Sequence, residues 1–313
     1  MKGLVKGISC LYATMVNYLR MYNIQLEEWK LFILDHGSFL HQNITLDVGM
    51  KPTSYSPLAQ LMQQCGSRFQ ISRDRRSHLS AMRECAYGAP LLMILNDANL
   101  SYHHHHSDLG YHAILTEKRQ DNRFRVYDFQ IYDRVGNVFI GFSEFSEDLL
   151  LDPLLTTVRI HPLKWPPAIS YIETTVNFLQ QFLNLSTAHQ GFPFVYQTLY
   201  SFMLQNAREK NYNRLIFFIK VNFIPFLQYL IQILWSRTFA GIFTNEDRMA
   251  LNGSIDKLID RVNTFVGILL YLQKQSAADA DFIVLNRVET ILDVLQNILT
   301  QLVANMINCQ KGK

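Results

Sequence analysis

A segment with three prolines divides the chain into two stretches whose apolar residues recur with different periods. The segment reads HPLKWPPAIS and covers residues 161–170. Before it, helical spacing is mixed with the alternation typical of strands, and after it nearly every stretch has helical spacing. Proline-rich segments of this kind commonly separate folding units. The sequence therefore predicts the α+β class, with a mixed domain over residues 1–164 and an all-α helical domain over residues 165–313.

The composition excludes several classes of protein. Hydrophobic residues make up 49% and charged residues 18% of the chain, which indicates a packed core rather than disorder. A net charge of +3 is too small to indicate nucleic-acid binding. The four cysteines fit neither a zinc motif nor a dense disulfide framework. Because the N-terminal residues lack a signal-peptide pattern, we expect reduced thiols and a cytoplasmic protein.

Periodicity predicts the main helices and strands. A helix is expected over residues 10–22 with Ser9 as its N-cap, and further short helices over 57–65 and 78–86. Strands are expected at 90–95, 111–117 and 124–129, with a fourth at 138–141. The second domain is expected to contain five helices, at 168–187, 193–209, 212–236, 245–275 and 279–308. The most apolar stretch, residues 215–235, is interrupted by Lys220 and Pro225, so we expect a buried helix without stable membrane insertion.

Three residues have the types and positions of a catalytic triad. A thiol attacks as the thiolate, which a helix N-terminus and an adjacent histidine both favour, and Cys10 lies in the first predicted turn. His112 is the second residue of the strand YHAILTE, and Asp128 lies on the next strand, FRVYDF. In an antiparallel hairpin, residues equidistant from the turn face one another, so these two side chains are expected within about one cross-strand pair. The spacing predicts a nucleophile, a base and an orienting carboxylate, with a core cysteine and a structural histidine as the alternative.

Several motifs resemble known cysteine enzymes. GISCLYATMVNYLR is similar to the nucleophile helix of papain-like double-glycine peptidases, and GYHAILTE and FRVYDF resemble their histidine and aspartate strands. A closer resemblance is to the N-terminal domain of the butirosin biosynthesis protein H family. Its motifs occur here in order, as Gly88-Ala89-Pro90, LLMIL, Asp97, Leu100-Ser101-Tyr102, the histidine run 103–106, GYHAIL and VYD. The resemblance covers about residues 1–140 and implies a papain-like domain with a nucleophile helix and an antiparallel sheet.

The resemblance also implies an activity. Cys10 would be the nucleophile, His112 the base and Asp128 the orienting residue, while the residues that shape or line the substrate site would be Asp97, Tyr102 and His103. The enzyme would be an acyltransferase of secondary-metabolite (natural-product) biosynthesis. Its acyl donor would be the phosphopantetheine thioester of an acyl or peptidyl carrier protein, and its acceptor a small-molecule amine. No further cofactor and no metal are expected, because adjacent histidines in a loop lack the fixed geometry of a metal site.

Two departures from the related families bear on the chemistry. Double-glycine peptidases place a glutamine shortly before the nucleophile as an oxyanion donor, and none occurs between Met1 and Cys10. Phe129 follows Asp128 where those families usually have proline. Acyl transfer is therefore favoured over peptide cleavage, with oxyanion donors from backbone N–H groups or another side chain. A peptidase, thioesterase or thioester cyclase with the same triad, and a non-catalytic binding protein, are the open alternatives.

Overall fold

The computed structural model describes residues 4–35, 70–72, 74–96, 111–120, 122–132, 138–151, 154–159, 169–183, 196–274 and 280–311. Over these ranges the protein is mixed α+β and mostly helical, which confirms the predicted class. The chain divides into two compact units, one of Met1–Leu31 with Asp47–Ala168 and the other of Phe32–Leu46 with Ile169–Lys313. The domain limits 1–164 and 165–313 stay predictions.

The first unit contains an antiparallel sheet of six strands in the order β1–β6–β2–β3–β4–β5. The strands are β1 (Gln70–Ser72), β2 (Pro90–Asn96), β3 (Tyr111–Lys118), β4 (Arg123–Tyr132), β5 (Val138–Ser146) and β6 (Leu154–Arg159). The predicted strands at 90–95, 111–117 and 124–129 are confirmed as β2, β3 and β4, and the fourth is longer than predicted. Neither β1 nor β6 was predicted, because β1 is too short for a pattern and β6 is held by long-range pairing with β2.

The sheet is contacted by α1 (Cys10–Met21), α3 (Arg75–Glu84) and α4 (Glu147–Leu151), while α2 (Glu28–Leu34) begins in the first unit and ends in the second. The first predicted helix is confirmed, with Ser9 at its N-cap position. The helix predicted over 78–86 begins earlier, because the Asp74 side chain accepts a hydrogen bond from the Ser77 N–H and caps it there. The helix predicted over 57–65 lies outside the described residues.

One face of the sheet forms a core with α3 and α4. Its buried residues are Leu91, Met93 and Leu95 of β2, Ile114 of β3, Phe124 and Val126 of β4, Met82 of α3, Cys85 directly after α3, and Leu150 of α4. Cys85 is only 4% exposed and its sulfur lies 3.5 Å from the Ala89 carbonyl oxygen. Burial in an apolar cluster gives this cysteine the environment of a structural residue.

The second unit is helical over its described residues, as predicted. Its α-helices are α5 (Tyr171–Phe182), α6 (Tyr196–Arg208), α7 (Tyr212–Phe218), α8 (Ile224–Trp235), α9 (Asn245–Leu272) and α10 (Ala280–Lys311). The predicted helix 212–236 is divided into α7 and α8 by a π-helical turn at Ile219–Phe223. Pro225 lies in the first turn of α8, where it has no N–H for a regular helical bond, and the wider turn precedes it.

An aromatic cluster fills part of this helical core. Phe32 stacks on Tyr229 with ring centroids 4.8 Å apart, and it also contacts Phe178 and Phe226.

Within the described residues, Tyr212–Trp235 and Phe282–Cys309 are long and apolar enough to cross a membrane by length and composition. Burial inside the protein covers 61% of the apolar window of the first stretch and 44% of the second, so packing explains much of their apolar character.

Replacing Thr244 by alanine should lower the free energy of unfolding by about 1 kcal/mol. Thr244 begins α9 with a capping box, in which its hydroxyl accepts from the Asp247 N–H and the Asp247 carboxylate accepts from the Thr244 N–H. Urea unfolding followed by circular dichroism measures the loss. Thr264→Ala, at an exposed position within α9, is the matched control and should change stability by less than about 0.5 kcal/mol. Equal losses in both variants would show that the capping box contributes nothing.

Candidate active site

Cys10 lies at the N-terminal end of α1, as its first residue. The first helical hydrogen bond joins the Ala13 N–H to the Ser9 carbonyl oxygen at 2.8 Å, so the Cys10 N–H has no acceptor within the helix. The N-terminus of a helix carries a partial positive charge, which favours an anion close to it. The Cys10 side chain is half-buried, so small reagents can reach its sulfur while one side of it packs against the protein.

His112 and Asp128 form a buried ion pair on β3 and β4. The Nε2 atom of His112 lies 2.8 Å from Oδ1 of Asp128, and the two side chains are only 7% and 2% exposed. The strand register pairs Leu115 with Tyr127, and its extension sets Asp128 diagonal to His112 rather than directly opposite. The contact that the hairpin spacing predicts is therefore present in the structure.

Helix α1 is attached to β3 beside this ion pair. The Thr14 hydroxyl donates to the Ala113 carbonyl oxygen at 3.0 Å. Thr14 is one helical turn after Cys10, and Ala113 directly follows His112, so this bond brings the start of α1 to the start of β3. The Cys10 side chain lies close enough to His112 to act on the pKa of its imidazole. Nε2 of His112 faces Asp128, so a contact of the ring with the thiol would be made through Nδ1.

The surroundings of His112 favour its protonated form. Burial of the imidazole lowers its pKa, but the charge and hydrogen bond of Asp128 raise it, and Cys10 acts in the same direction. The net result is a His112 pKa well above the ordinary value of 6.5. An imidazolium in hydrogen-bond contact with a thiol stabilises the thiolate. The Cys10, His112 and Asp128 side chains therefore lie together at one end of α1, with His112 bound to a buried carboxylate.

The sequence did not reveal a fourth residue at this site, Glu28. Its carboxylate accepts hydrogen bonds from the Ser9 N–H at 2.7 Å and from the Ile8 N–H at 2.9 and 3.1 Å. Glu28 begins α2, and the sequence around it reads as an ordinary helix start, which carries no signal of this tertiary contact. The Ile8 and Ser9 N–H groups are thus engaged, whereas the Cys10 N–H is one of the first N–H groups of α1, which have no acceptor within the helix.

Three predicted substrate-site residues, Asp97, Tyr102 and His103, lie outside the described residues, as does the rest of the histidine run 103–106. Phe129, which directly follows Asp128, is fully buried. Among the residues that the structure describes, no group of three or more histidine, cysteine, aspartate or glutamate side chains could hold a metal ion.

Comparison with known proteins adds no family to this geometry. No protein-family model matches the chain, and no curated protein is significantly similar to it.

Proposed function

We propose that the protein is a cysteine-dependent acyltransferase with a papain-like catalytic domain. It would move an acyl group from a carrier-protein thioester to a small-molecule amine in natural-product biosynthesis, in the cytoplasm. The observation that carries the proposal is the buried His112–Asp128 pair, with the Cys10 side chain close enough to His112 to act on its pKa. A cysteine at a helix N-terminus, beside a histidine that a buried carboxylate orients, is the arrangement of thiol nucleophiles that form acyl-enzymes.

The first half-reaction would load the enzyme. The Cys10 thiolate attacks the thioester carbonyl carbon of the acylated phosphopantetheine, and the Cys10 N–H donates to the oxyanion that forms. The carbon–sulfur bond to pantetheine then breaks, and the departing sulfur takes the proton held by His112. The products are an acyl-Cys10 thioester and a carrier protein with a free pantetheine thiol.

The second half-reaction would form the amide. The acceptor amine attacks the acyl-Cys10 carbonyl carbon, and the now neutral His112 accepts the proton that the nitrogen loses. The bond to the Cys10 sulfur breaks, and the thiolate is restored beside the imidazolium. Asp128 stays hydrogen-bonded to Nε2 in both steps, so Nδ1 keeps facing the reacting atoms. The motif resemblance adds Asp97, Tyr102 and His103 to this proposal as substrate-site residues.

Incubation with acylated carrier proteins tests the proposal. Intact-mass spectrometry should show an acyl adduct, and peptide mapping should place it on Cys10. Cys10→Ala should give no adduct, whereas Cys309→Ala, which removes the other half-buried thiol of the described chain, should give the same adduct as the unmodified protein. Addition of a panel of amines should release the acyl group as an amide.

The products separate acyl transfer from its alternatives. Release of the free carboxylic acid at the same rate with and without amines would assign the protein as a hydrolase with the same triad. A cyclic product from the acyl chain alone would assign it as a thioester cyclase. The absence of any adduct from the whole panel of thioesters would contradict the proposal and favour a binding protein.

A further inference from the structure

Two buried side chains hold the segment that leads into the nucleophile, which we call the entry segment (residues 5–9). Asn17 of α1 is fully buried, and its amide accepts from the Val5 N–H and donates to the Val5 carbonyl oxygen, both at 2.9 Å. Glu28 is 8% exposed and binds the other end of the segment through Ile8 and Ser9. The backbone just before Cys10 is thus held at both ends by side chains from α1 and α2.

Gly7 lets the entry segment run in close contact with these elements. A Cβ atom at this position would lie 2.1 Å from the Ala13 Cβ and 2.8 Å from Oε2 of Glu28. Both distances are far below van der Waals contact, so any larger residue would push the segment away from α1 and from the Glu28 carboxylate. The segment therefore follows a path that depends on glycine at residue 7 and on the acceptor at residue 28.

We propose that Glu28 is a positioning residue of the active site. Its carboxylate binds the two N–H groups that precede Cys10, and so holds the thiol against His112 and turns the Cys10 N–H toward the reacting carbonyl. The inference rests on the proposed role of Cys10 as nucleophile. Hydrogen bonds from N–H groups to an ionised carboxylate are short and strong, which suits them to hold a backbone segment in one arrangement.

Two roles of Glu28, one purely structural and one in positioning Cys10, lead to different dependences of the Cys10 alkylation rate on pH. Below the ordinary thiol pKa of about 8.5, a cysteine is alkylated rapidly only where a neighbouring cation stabilises its thiolate. Well above that pH, thiolate forms without the histidine. Loss of positioning should therefore slow alkylation at low pH and leave it nearly unchanged at high pH, whereas loss of stability alone changes neither in the folded protein.

The experiment measures alkylation of Cys10 by iodoacetamide, by mass spectrometry of the Cys10 peptide. We expect Glu28→Ala to slow the reaction at about pH 6.5 by ten- to a hundredfold, the scale of a misplaced reacting group. The rate at about pH 9.5 should change by less than about twofold, because the thiolate then forms unaided. Glu28→Gln keeps one acceptor oxygen and should lie between Glu28→Ala and the unmodified protein. It also carries the test if Glu28→Ala does not fold.

Asp74→Ala is the matched control, since it removes an exposed carboxylate that accepts one backbone N–H at the start of α3. It should leave the alkylation profile of Cys10 unchanged. An unaltered or faster low-pH rate in folded Glu28→Gln would overturn the positioning role while the nucleophile proposal stands. A Cys10 that reacts no faster than Cys309 at about pH 6.5 in the unmodified protein would instead contradict the proposed function itself.

Discussion

Replacing His112 by alanine should slow acylation of Cys10 by about three orders of magnitude, within the range that a positioned acid–base group contributes. In the proposed mechanism, the His112 imidazole stabilises the Cys10 thiolate and protonates the departing pantetheine sulfur, and the variant would lose both effects. The measurement is the rate at which the acyl adduct appears on Cys10 after mixing with an acylated carrier protein, followed by quenching and mass spectrometry.

His78 provides a matched control for this substitution. It is a buried histidine of α3, only 2% exposed, whose pKa is lowered by burial against an opposing effect of the Asp74 charge. His78→Gln should change the acylation rate by less than about twofold, even if stability falls by about 1 kcal/mol, a typical cost of a core substitution. Equal acylation rates in His112→Ala and the unmodified protein would show that His112 is not the base.

Replacing Asp128 by asparagine should reverse the pH dependence that His112 imparts to folding stability. In the unmodified protein the folded pKa of His112 is raised above the unfolded value of about 6.5. Its contribution is therefore fully present below about pH 6.5 and is lost as the pH rises through the folded pKa. Without the Asp128 charge, burial dominates and lowers the His112 pKa, so the variant should lose stability as the pH falls below about 6.5.

The difference in unfolding free energy between the two proteins should be largest at low pH. A buried ion pair that loses one partner typically costs about 3–5 kcal/mol, and we expect that scale near pH 5, with a smaller difference near pH 9. Urea unfolding over a pH series measures the difference, and NMR titration of the His112 ring measures its pKa directly. Asp148→Asn, at an exposed position of α4, is the control and should leave the pH profile unchanged.

Asp128→Asn should also show whether Asp128 acts in catalysis by orienting the His112 ring or through its negative charge. Its side-chain oxygen can still accept from Nε2, as in the cysteine–histidine–asparagine triads of papain-like proteases. We therefore expect a smaller loss of acylation rate in Asp128→Asn than in His112→Ala. Parallel stability profiles for Asp128→Asn and the unmodified protein would contradict the role that we assign to the Asp128 charge.

Several elements of the fold could be predicted because their signals are local. The first helix begins at Cys10 as predicted, and the five predicted helices of the second part occur at their expected places, since amphipathic spacing reflects a single buried face. The π-helical turn at Ile219–Phe223 was not predicted, although Pro225 in the apolar stretch marks the same position. The helix predicted over 245–275 is continuous as α9, although it contains the Asn252-Gly253 pair, whose residues have low helix propensity.

Only one part of the candidate site, the contact between His112 and Asp128, could be predicted from the sequence. His112 and Asp128 belong to consecutive strands, so the length of the hairpin was enough to expect their contact. The contact of α1 with β3 joins residues 99 positions apart, as between Thr14 and Ala113, and no local pattern reports it. Glu28 was missed for the same reason, because its partners are backbone N–H groups that have no residue-specific signature.

By itself, the amino-acid sequence determined the mixed and the helical stretches of the chain, the helix that starts at Cys10, and the hairpin that joins His112 to Asp128. Each of these depends on the order of apolar and polar residues over a few turns or strands. Only the tertiary structure decided that the Cys10 thiol lies beside the His112 imidazole, and that Glu28 binds the entry segment that precedes Cys10. These contacts depend on how separate elements pack, and packing is settled by the whole core rather than by any one segment.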